Sequence, residues 1–450
     1  MSSSFENIYE PGVVDPGIPV PNSTASYWLS QPSKIHKIQS PWIDTADVVV
    51  IGSGITATSI AKTLLAKKPG LQVVLVEARD LCSGATGRNG GHIKNMSFEM
   101  WIERKEKYGV QEAIRWTQFE QSHLPTLTSC IQTNNIECDL RIHDGVDAYY
   151  DASQFQKAVD AIADMKKHAP ELAETYTIYD QKEALAKLKC GPTCIGAISS
   201  PAASLWPYKF VSSLIGQMVE KDGLHVQTQT RVSKVSERDN YATVETNRGQ
   251  IRATSVIHAT NAYMGHLLAE LRPFISPVRG NVTRQRSPPG FALEKSFWLR
   301  HGTKDYDYLI QTPSSEFIIG RANTGRRAVG DDSAIDTGPH AHLGGILPLV
   351  LEFPSPTLPR RTEVTHAWSG ILGFTEDANP FIGSLSLFGK KHQWVCGGYH
   401  GVGMVKAFLS GQILVSLLLG EKKPFEYPES ALLSERRLAS LKSGLRSSRL

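Results

Sequence analysis

The stretch Ala46 to Leu65, ADVVVIGSGITATSIAKTLL, passes from an apolar run through a glycine-rich turn into a helix-patterned segment, and Glu77 closes a second apolar run, Val73 to Val76. Strand, tight turn, helix and acid at this spacing define a βαβ unit that holds an adenine dinucleotide. Gly52 lets the chain leave the strand sharply, and Gly54 removes a side chain where a pyrophosphate must approach the backbone. Ala57, at the third small position, keeps the helix close to the sheet. The helix N-terminus presents unpaired N–H groups and partial positive charge to phosphate, while Glu77 is placed to accept from ribose hydroxyls and disfavours a 2′-phosphate. At this stage NAD and FAD satisfy the pattern equally.

With 450 residues of ordinary globular composition, the chain is long enough for two or three structural units around a large core. The net charge of +4 is too small to argue for nucleic acid, and much of it lies in the tail, at Lys422, Lys423, Arg436, Arg437, Lys442, Arg446 and Arg449. Among the six cysteines only Cys190 and Cys194 are close, without C-x-x-C spacing, so reduced thiols in an intracellular protein are expected and no metal site. No signal peptide is read at the polar, then proline-rich start. The longest apolar stretch, Met404 to Leu419, is broken by Lys406, Ser410 and Gln412 and is too short to span a bilayer; it reads as a core helix.

Residues 1 to 40 carry prolines and one large apolar anchor, Trp28, and read as an extended arm lying across the body. Glu99 to Ala186 has helical patterning divided among several helices. From Leu224 short strands begin: HVQTQTRVSKV, YATVETN, a turn at Asn247-Arg248-Gly249, and IRATSVIHAT, a meander that delivers Ser255 to Ala259 into a buried strand. A second strand-rich zone runs from Phe274 to Ile319, clearest at Tyr308 to Ile310 and Glu316 to Ile319, before Pro354, Pro356 and Pro359 break the chain. No internal repeat is present.

Directly after the ribose-binding acid come SGATGRNGGH (Ser83 to His92), then ATNAY (Ala259 to Tyr263), WSGILGFTEDANPFIG (Trp368 to Gly383) and CGGYHGVGM (Cys396 to Met404). In this order, over about residues 20 to 420, the chain resembles the D-amino-acid oxidase, sarcosine oxidase and glycine oxidase superfamily of FAD enzymes. The strongest likeness is to the branch around gamma-glutamylputrescine oxidase and its fungal relatives. That resemblance implies an α/β fold: a discontinuous Rossmann-like FAD-binding domain with a mixed sheet and helices, plus an α+β substrate domain with an antiparallel sheet. The expected organisation is an N-terminal arm (1–40), FAD-domain parts at 41–125, 200–272 and 362–425, a helical substrate-domain segment (126–199), the substrate domain (273–361) and a C-terminal tail (426–450).

Carried over residue by residue, Gly52, Ser53, Gly54, Ile55, Thr56 and Ala57 would hold the pyrophosphate, Glu77 with Ala78 and Arg79 the adenosine ribose, and Val232 the adenine through its backbone. Ala85, Thr86, Arg88, Asn89, Gly90 and Gly91 would run beneath the flavin; close backbone approach accounts for Gly87, Gly90 and Gly91 without the family. Gly401, Val402, Gly403 and Met404 would pass the pyrimidine edge, with the following helix aimed N-terminus first at the C2 carbonyl, where it would favour the anionic reduced ring. Some relatives attach flavin through a cysteine upstream of a T-x-D; aligning on Thr375 and Asp377 puts Gly370 there, and Arg88 stands near where others place a flavin-linked histidine. Non-covalent FAD is therefore expected.

The chemistry implied by the resemblance is oxidation of the C–N bond of a small-molecule amine or amino acid: hydride to flavin N5, imine hydrolysis, and reduction of O2 to H2O2. The alternative is an FAD-dependent dehydrogenase or tailoring oxidoreductase that acts on a specialised metabolite. Candidate catalytic or substrate-binding residues are His92, Arg279, Tyr308 and His400, with Tyr306 and Arg321 beside them. An arginine suits a carboxylate through a bidentate contact, whereas the tyrosines also suit core packing. Ser448-Arg449-Leu450 resembles the peroxisomal S-K-L address with arginine for lysine, so a peroxisomal import receptor is an expected partner, with a cytoplasmic location otherwise.

Overall fold

A computed structural model describes residues 15–303, 305–321, 329–353 and 362–447. Pro354, Pro356, Pro359 and the tripeptide Ser448-Arg449-Leu450 lie outside the described residues.

Two sheets organise the chain. The first has eight strands, with Thr45–Ile51 at its centre between the parallel strands Val73–Val76 and Gly249–His258. Val48 to Val50 and Val73 to Val76 are buried throughout, as expected of a parallel sheet covered on both faces. His225–Gln227 and Gln393–Gly397 extend it in parallel, and Phe381–Ser384 adds an antiparallel edge. The meander read from the sequence is present: Val232–Glu237 pairs with Ala242–Thr246, which pairs with Gly249–His258.

Two helices aim their N-terminal ends at the same space. Helix Ile55–Lys67 starts directly after the first strand, and helix Ala407–Leu418 crosses it with Gly411 at the contact. A side chain there would meet Ser59 Oγ at 2.8 Å and the backbone nitrogen of Ile60 at 3.2 Å, so only glycine allows this close crossing. The apolar stretch expected as a core helix is that second helix, with Ile413, Leu414 and Val415 fully buried.

The second sheet has nine strands, in the order Val364–Thr375, Ile275–Arg286, Glu316–Arg321, Asp305–Gln311, Ser296–Gly302, Arg141–Tyr149, Gly196–Ser204 and His92–Ile93, with Thr177–Tyr179 paired to the side. It is not purely antiparallel: Ser296–Gly302 runs parallel to Arg141–Tyr149. Strands so far apart in sequence have a long connection, which permits a parallel neighbour that a hairpin forbids. The sheet also draws on both sides of the 273–361 segment, because Val364–Thr375 pairs along Ile275–Arg286 and Arg141–Tyr149 enters from the helix-rich region. That region does hold helices, at Trp101–Tyr108, Val110–Thr133, Ala152–His168 and Gln181–Leu188. The strand Arg141–Tyr149 among them is a correction to an all-helical reading.

The described part of the arm, from residue 15, is pinned to the body. Trp28 is buried, its indole N–H donates to the carbonyl of Asn89 at 2.5 Å, and Trp206 donates to the carbonyl of Trp28 at 2.7 Å.

Candidate functional site

The described residues line a long, partly open cavity between the two sheets, with about 1910 Å³ not filled by atoms when the solvent at its mouth is included. At one end lie Glu77, Thr230, Arg231 and Val232; at the other lie His92, Trp298, Tyr306 and Tyr308. The glycine turn Gly52–Gly54, the Ala85–Gly90 loop and Gly401–Met404 run between them.

The turn is built for close approach. Gly52 has φ +117°, and a side chain on it would sit 2.9 Å from the carbonyl oxygen of Ala259. No L side chain adopts that backbone cheaply. Helix Ile55–Lys67 then opens toward the cavity with no cap from its own N-cap residue, Gly54, and Ile55 N–H donates to Thr86 Oγ1 at 3.1 Å. The loop containing Thr86 is thereby fixed to the helix that it faces. Glu77 is oriented from two sides: Ser53 Oγ donates to Oε2 at 2.7 Å and Arg79 N–H to Oε1 at 3.0 Å. A carboxylate has further lone pairs, so both oxygens retain capacity to accept from a diol.

Below the loop lies a buried charge cluster. Asp332 pairs with Arg79 at 3.0 Å and with Arg88 at 3.4 Å. Arg88 also donates from Nε to the carbonyl of Ser369 at 2.6 Å, and burial pushes its pKa down to about 10. Among the described residues Arg88 Nη1 and Thr260 Oγ1 are buried without a hydrogen-bond partner, and both residues line the cavity. Unanswered buried donors beside a cavity are the pattern expected where a polar ligand completes the set. Together with the glycine cradle, the open helix ends and the diol-facing acid, they match the demands of FAD.

At the far end His92 is fully engaged. Trp298 Nε1 is only a donor and points at His92 Nδ1 at 3.2 Å, so the neutral ring carries its proton on Nε2, which donates to Ser296 Oγ at 2.6 Å. Burial, reinforced by His143 and Lys94, holds its pKa well below the ordinary histidine value. His92 thus orients Trp298, which stacks on Tyr306 with centroids 5.2 Å apart. Tyr308 also lines the cavity, and burial raises its hydroxyl pKa above the usual value, keeping it protonated.

Most residues expected around a cofactor line this cavity; Ala57 and Gly91 stand behind it, both packed in the interior. A side chain on Gly91, which has φ +68°, would meet the carbonyl of Leu205 at 2.5 Å. Three candidates for substrate contact do not reach the cavity. Arg279 is paired with Asp336 at 2.8 Å, and Arg321 with Asp307 at 2.9 Å, so neither offers a free fork to a substrate carboxylate. His400 packs its ring on Phe374, with centroids 4.4 Å apart. Asp307 lies between Tyr306 and Tyr308 and is fully buried. It gathers His301 Nε2 at 2.8 Å and His342 Nε2 at 2.7 Å on one oxygen, while Arg321 holds the other. The two imidazoles and the carboxylate offer donor atoms within 4.8 Å of one another, and the guanidinium supplies the positive charge that the buried carboxylate requires.

Sequence reasoning missed Gly17, Ile18 and Pro19 of the arm at the Glu77 end, and Lys94 and Trp298 at the other. The arm prolines were its signal for an extended covering segment. Trp298 had none beyond being aromatic in a strand.

Fold and site together define a flavin-dependent oxidoreductase. Residues 47–417 match the model of the FAD dependent oxidoreductase family, and the chain belongs to it. It is 25% identical over 395 residues to gamma-glutamylputrescine oxidoreductase of Escherichia coli (strain K12), covering 85% of each chain. It is 23% identical over 418 residues to the probable oxidoreductase OrdL of Rhizobium meliloti (strain 1021), covering 89% of this chain and 88% of the relative. Among solved structures, glycine oxidase from Geobacillus kaustophilus superposes with a TM-score of 0.71 at 17% identity, covering 87% of this chain and 99% of that one. L-amino acid deaminase from Proteus vulgaris superposes with a TM-score of 0.69 at 16% identity, covering 88% and 99%.

Proposed function

We propose that this protein oxidises the C–N bond of a small amine or amino acid and passes the electrons to dioxygen. The observation that carries this reading is the continuous cavity running from the Glu77 clamp, along two helix ends and a glycine loop, to a wall of aromatic rings. FAD, held without a covalent bond by Gly52–Thr56, Glu77, the Ala85–Gly90 loop, Val232 and Gly401–Met404, would supply the two-electron acceptor.

The overall reaction balances. The substrate C–N single bond becomes C=N with loss of two electrons and two protons; water adds at carbon, the nitrogen leaves as amine or ammonia, and dioxygen takes up the electrons and protons as peroxide. The chain's part is positional. A neutral amine needs no strong base, which agrees with a His92 whose two nitrogens are already committed. Trp298, Tyr306 and Tyr308 exclude water and align the reacting carbon. The helix end at Gly403 to Ala407 offers positive potential where negative charge collects on reduction.

Anaerobic mixing of the purified yellow protein with amines, N-methyl amino acids, D-amino acids and acylated polyamines is expected to bleach the flavin with at least one member. Admission of air is then expected to restore the colour with one peroxide per turnover. Bleaching without reoxidation by air would instead favour a dehydrogenase, and photoreduction without any substrate bleaching would overturn the reading. Ser448-Arg449-Leu450 supports a peroxisomal location, where peroxide is removed. A fluorescent fusion leaving this tripeptide free and staying diffuse would overturn that placement.

A further inference from the structure

The cavity end away from Glu77 is walled by Trp298, Tyr306, Tyr308, Val282, Leu372 and Met404. These are apolar faces and rings. Among the described residues, each cation near them is already matched by an acid. Lys94 lines the cavity, but its ammonium group is buried against Asp147 and lies 4.5 Å from the Trp298 ring centroid. Arg300 binds the same Asp147 at 2.8 Å and Glu99 at 3.7 Å, while its guanidinium sits 4.9 Å from the Tyr306 ring centroid. Lys94, Arg300, Asp147 and Glu99 therefore form a charge-balanced quartet behind the stacked rings. Arg88, nearer the glycine loop, shares Asp332 with Arg79 and donates to the carbonyls of Ser369 and Thr24.

A substrate carboxylate seated against these rings would add a negative charge beside a quartet that is already neutral. That buried cluster would then carry a net negative charge without compensation, which is unfavourable. A neutral amine on a planar apolar group meets no such penalty, because it only covers ring faces.

We infer that, given the amine-oxidising reading above, the substrate is a carboxylate-free amine whose carbon skeleton carries an aromatic or other flat apolar group seated against Trp298, Tyr306 and Tyr308. The acid partners of Lys94 and Arg300 enforce the preference by keeping both cations occupied.

Two measurements on the holoenzyme test this. The first follows perturbation of the flavin spectrum by a redox-inert pair, phenylacetamide and phenylacetate. The neutral amide is expected to bind at least about tenfold more tightly; tighter binding of phenylacetate overturns the inference and leaves the amine-oxidising reading intact. The second compares anaerobic bleaching by phenethylamine with that by D- and L-phenylalanine, and by N-methylbenzylamine with N-methylphenylglycine. The carboxylate-free member of each set is expected to bleach faster by at least about tenfold in rate per concentration. An equal or faster carboxylated member, or no bleaching by any of them in protein that another amine of the panel above does bleach, overturns the inference alone, whereas no bleaching by the whole panel, in protein that photoreduces normally, overturns both readings.

Discussion

Gly90 is pressed against the ring of Tyr308: a methyl group on the glycine would lie 2.5 Å from Cδ2 of the tyrosine. Gly320, on the neighbouring strand, meets the same ring, and a side chain there would overlap its hydroxyl end. The tyrosine is thus held between a loop of one structural unit and a strand of the other. Close packing of that kind transmits any added volume directly.

Replacing Gly90 by alanine is expected to push the ring off its site, with an overpacking cost of about 1–3 kcal/mol. Calorimetry of G90A would read this as a lowered Tm, accompanied by reduced flavin content. In the double variant G90A/Y308A most of the loss in flavin content is expected to return, because the clashing ring is gone. Full flavin content and unchanged Tm in G90A would refute the tight contact.

Glu77→Gln keeps the shape of the side chain but turns one acceptor into a donor, facing either Ser53 Oγ or Arg79 N–H. Affinity for the flavin nucleotide, measured by fluorescence recovery on dilution, is expected to weaken by about tenfold, or ~1.4 kcal/mol. The Tm of the apoprotein should stay near that of the parent. Unchanged affinity would remove Glu77 from the nucleotide site.

The βαβ unit at Ala46–Leu65 was legible in the sequence because each of its mechanical tasks admits few residue types: glycine at positive φ, a small residue at the helix contact, an acid at the second strand end. Trp298 was not, since its role depends on His92, Lys94 and Tyr306, which reach it across strands far apart in the chain. Arg279 and Arg321 looked like carboxylate ligands because charge type is visible in a sequence and pairing is not. Their partners Asp336 and Asp307 lie 57 and 14 residues away and become neighbours only in the fold, Asp336 at the start of helix Thr337–Val350 and Asp307 across paired strands. The strand Arg141–Tyr149 was hidden for a related reason. Its buried Asp147 answers Lys94, and its Gly145 admits the Lys94 side chain, so polar and small residues stand where apolar alternation would have marked a strand.

Acid precipitation of the holoprotein is expected to release all yellow colour into the supernatant. None of the six cysteines lines the cavity, and Gly370, which a methyl group would bring 3.0 Å from Arg88 Cβ, leaves no room for a linking side chain. The histidine nearest the ring end, His92, has both nitrogens committed. Colour retained in a denatured, washed pellet would contradict non-covalent binding.

Stability is expected to fall as the pH drops from about 6.5 toward 4, before general acid unfolding. Burial lowers the pKa of both His123 and His258 to about 4, while each interior site accepts only the neutral ring. His123 Nδ1 donates to the carbonyl of Phe119 at 2.8 Å, and its Nε2 accepts from Leu409 N–H at 3.3 Å; protonation would destroy that acceptor. Between the two pKa values the unfolded chain binds protons that the native state refuses, so lower pH favours unfolding, and the loss levels off once the native histidines also titrate. Urea midpoints for the parent and for His123→Gln at pH 7.0 and 5.0 would test this; the variant is expected to start lower and show a shallower decline. Equal slopes in the two proteins would exclude His123 as a source of the acid sensitivity.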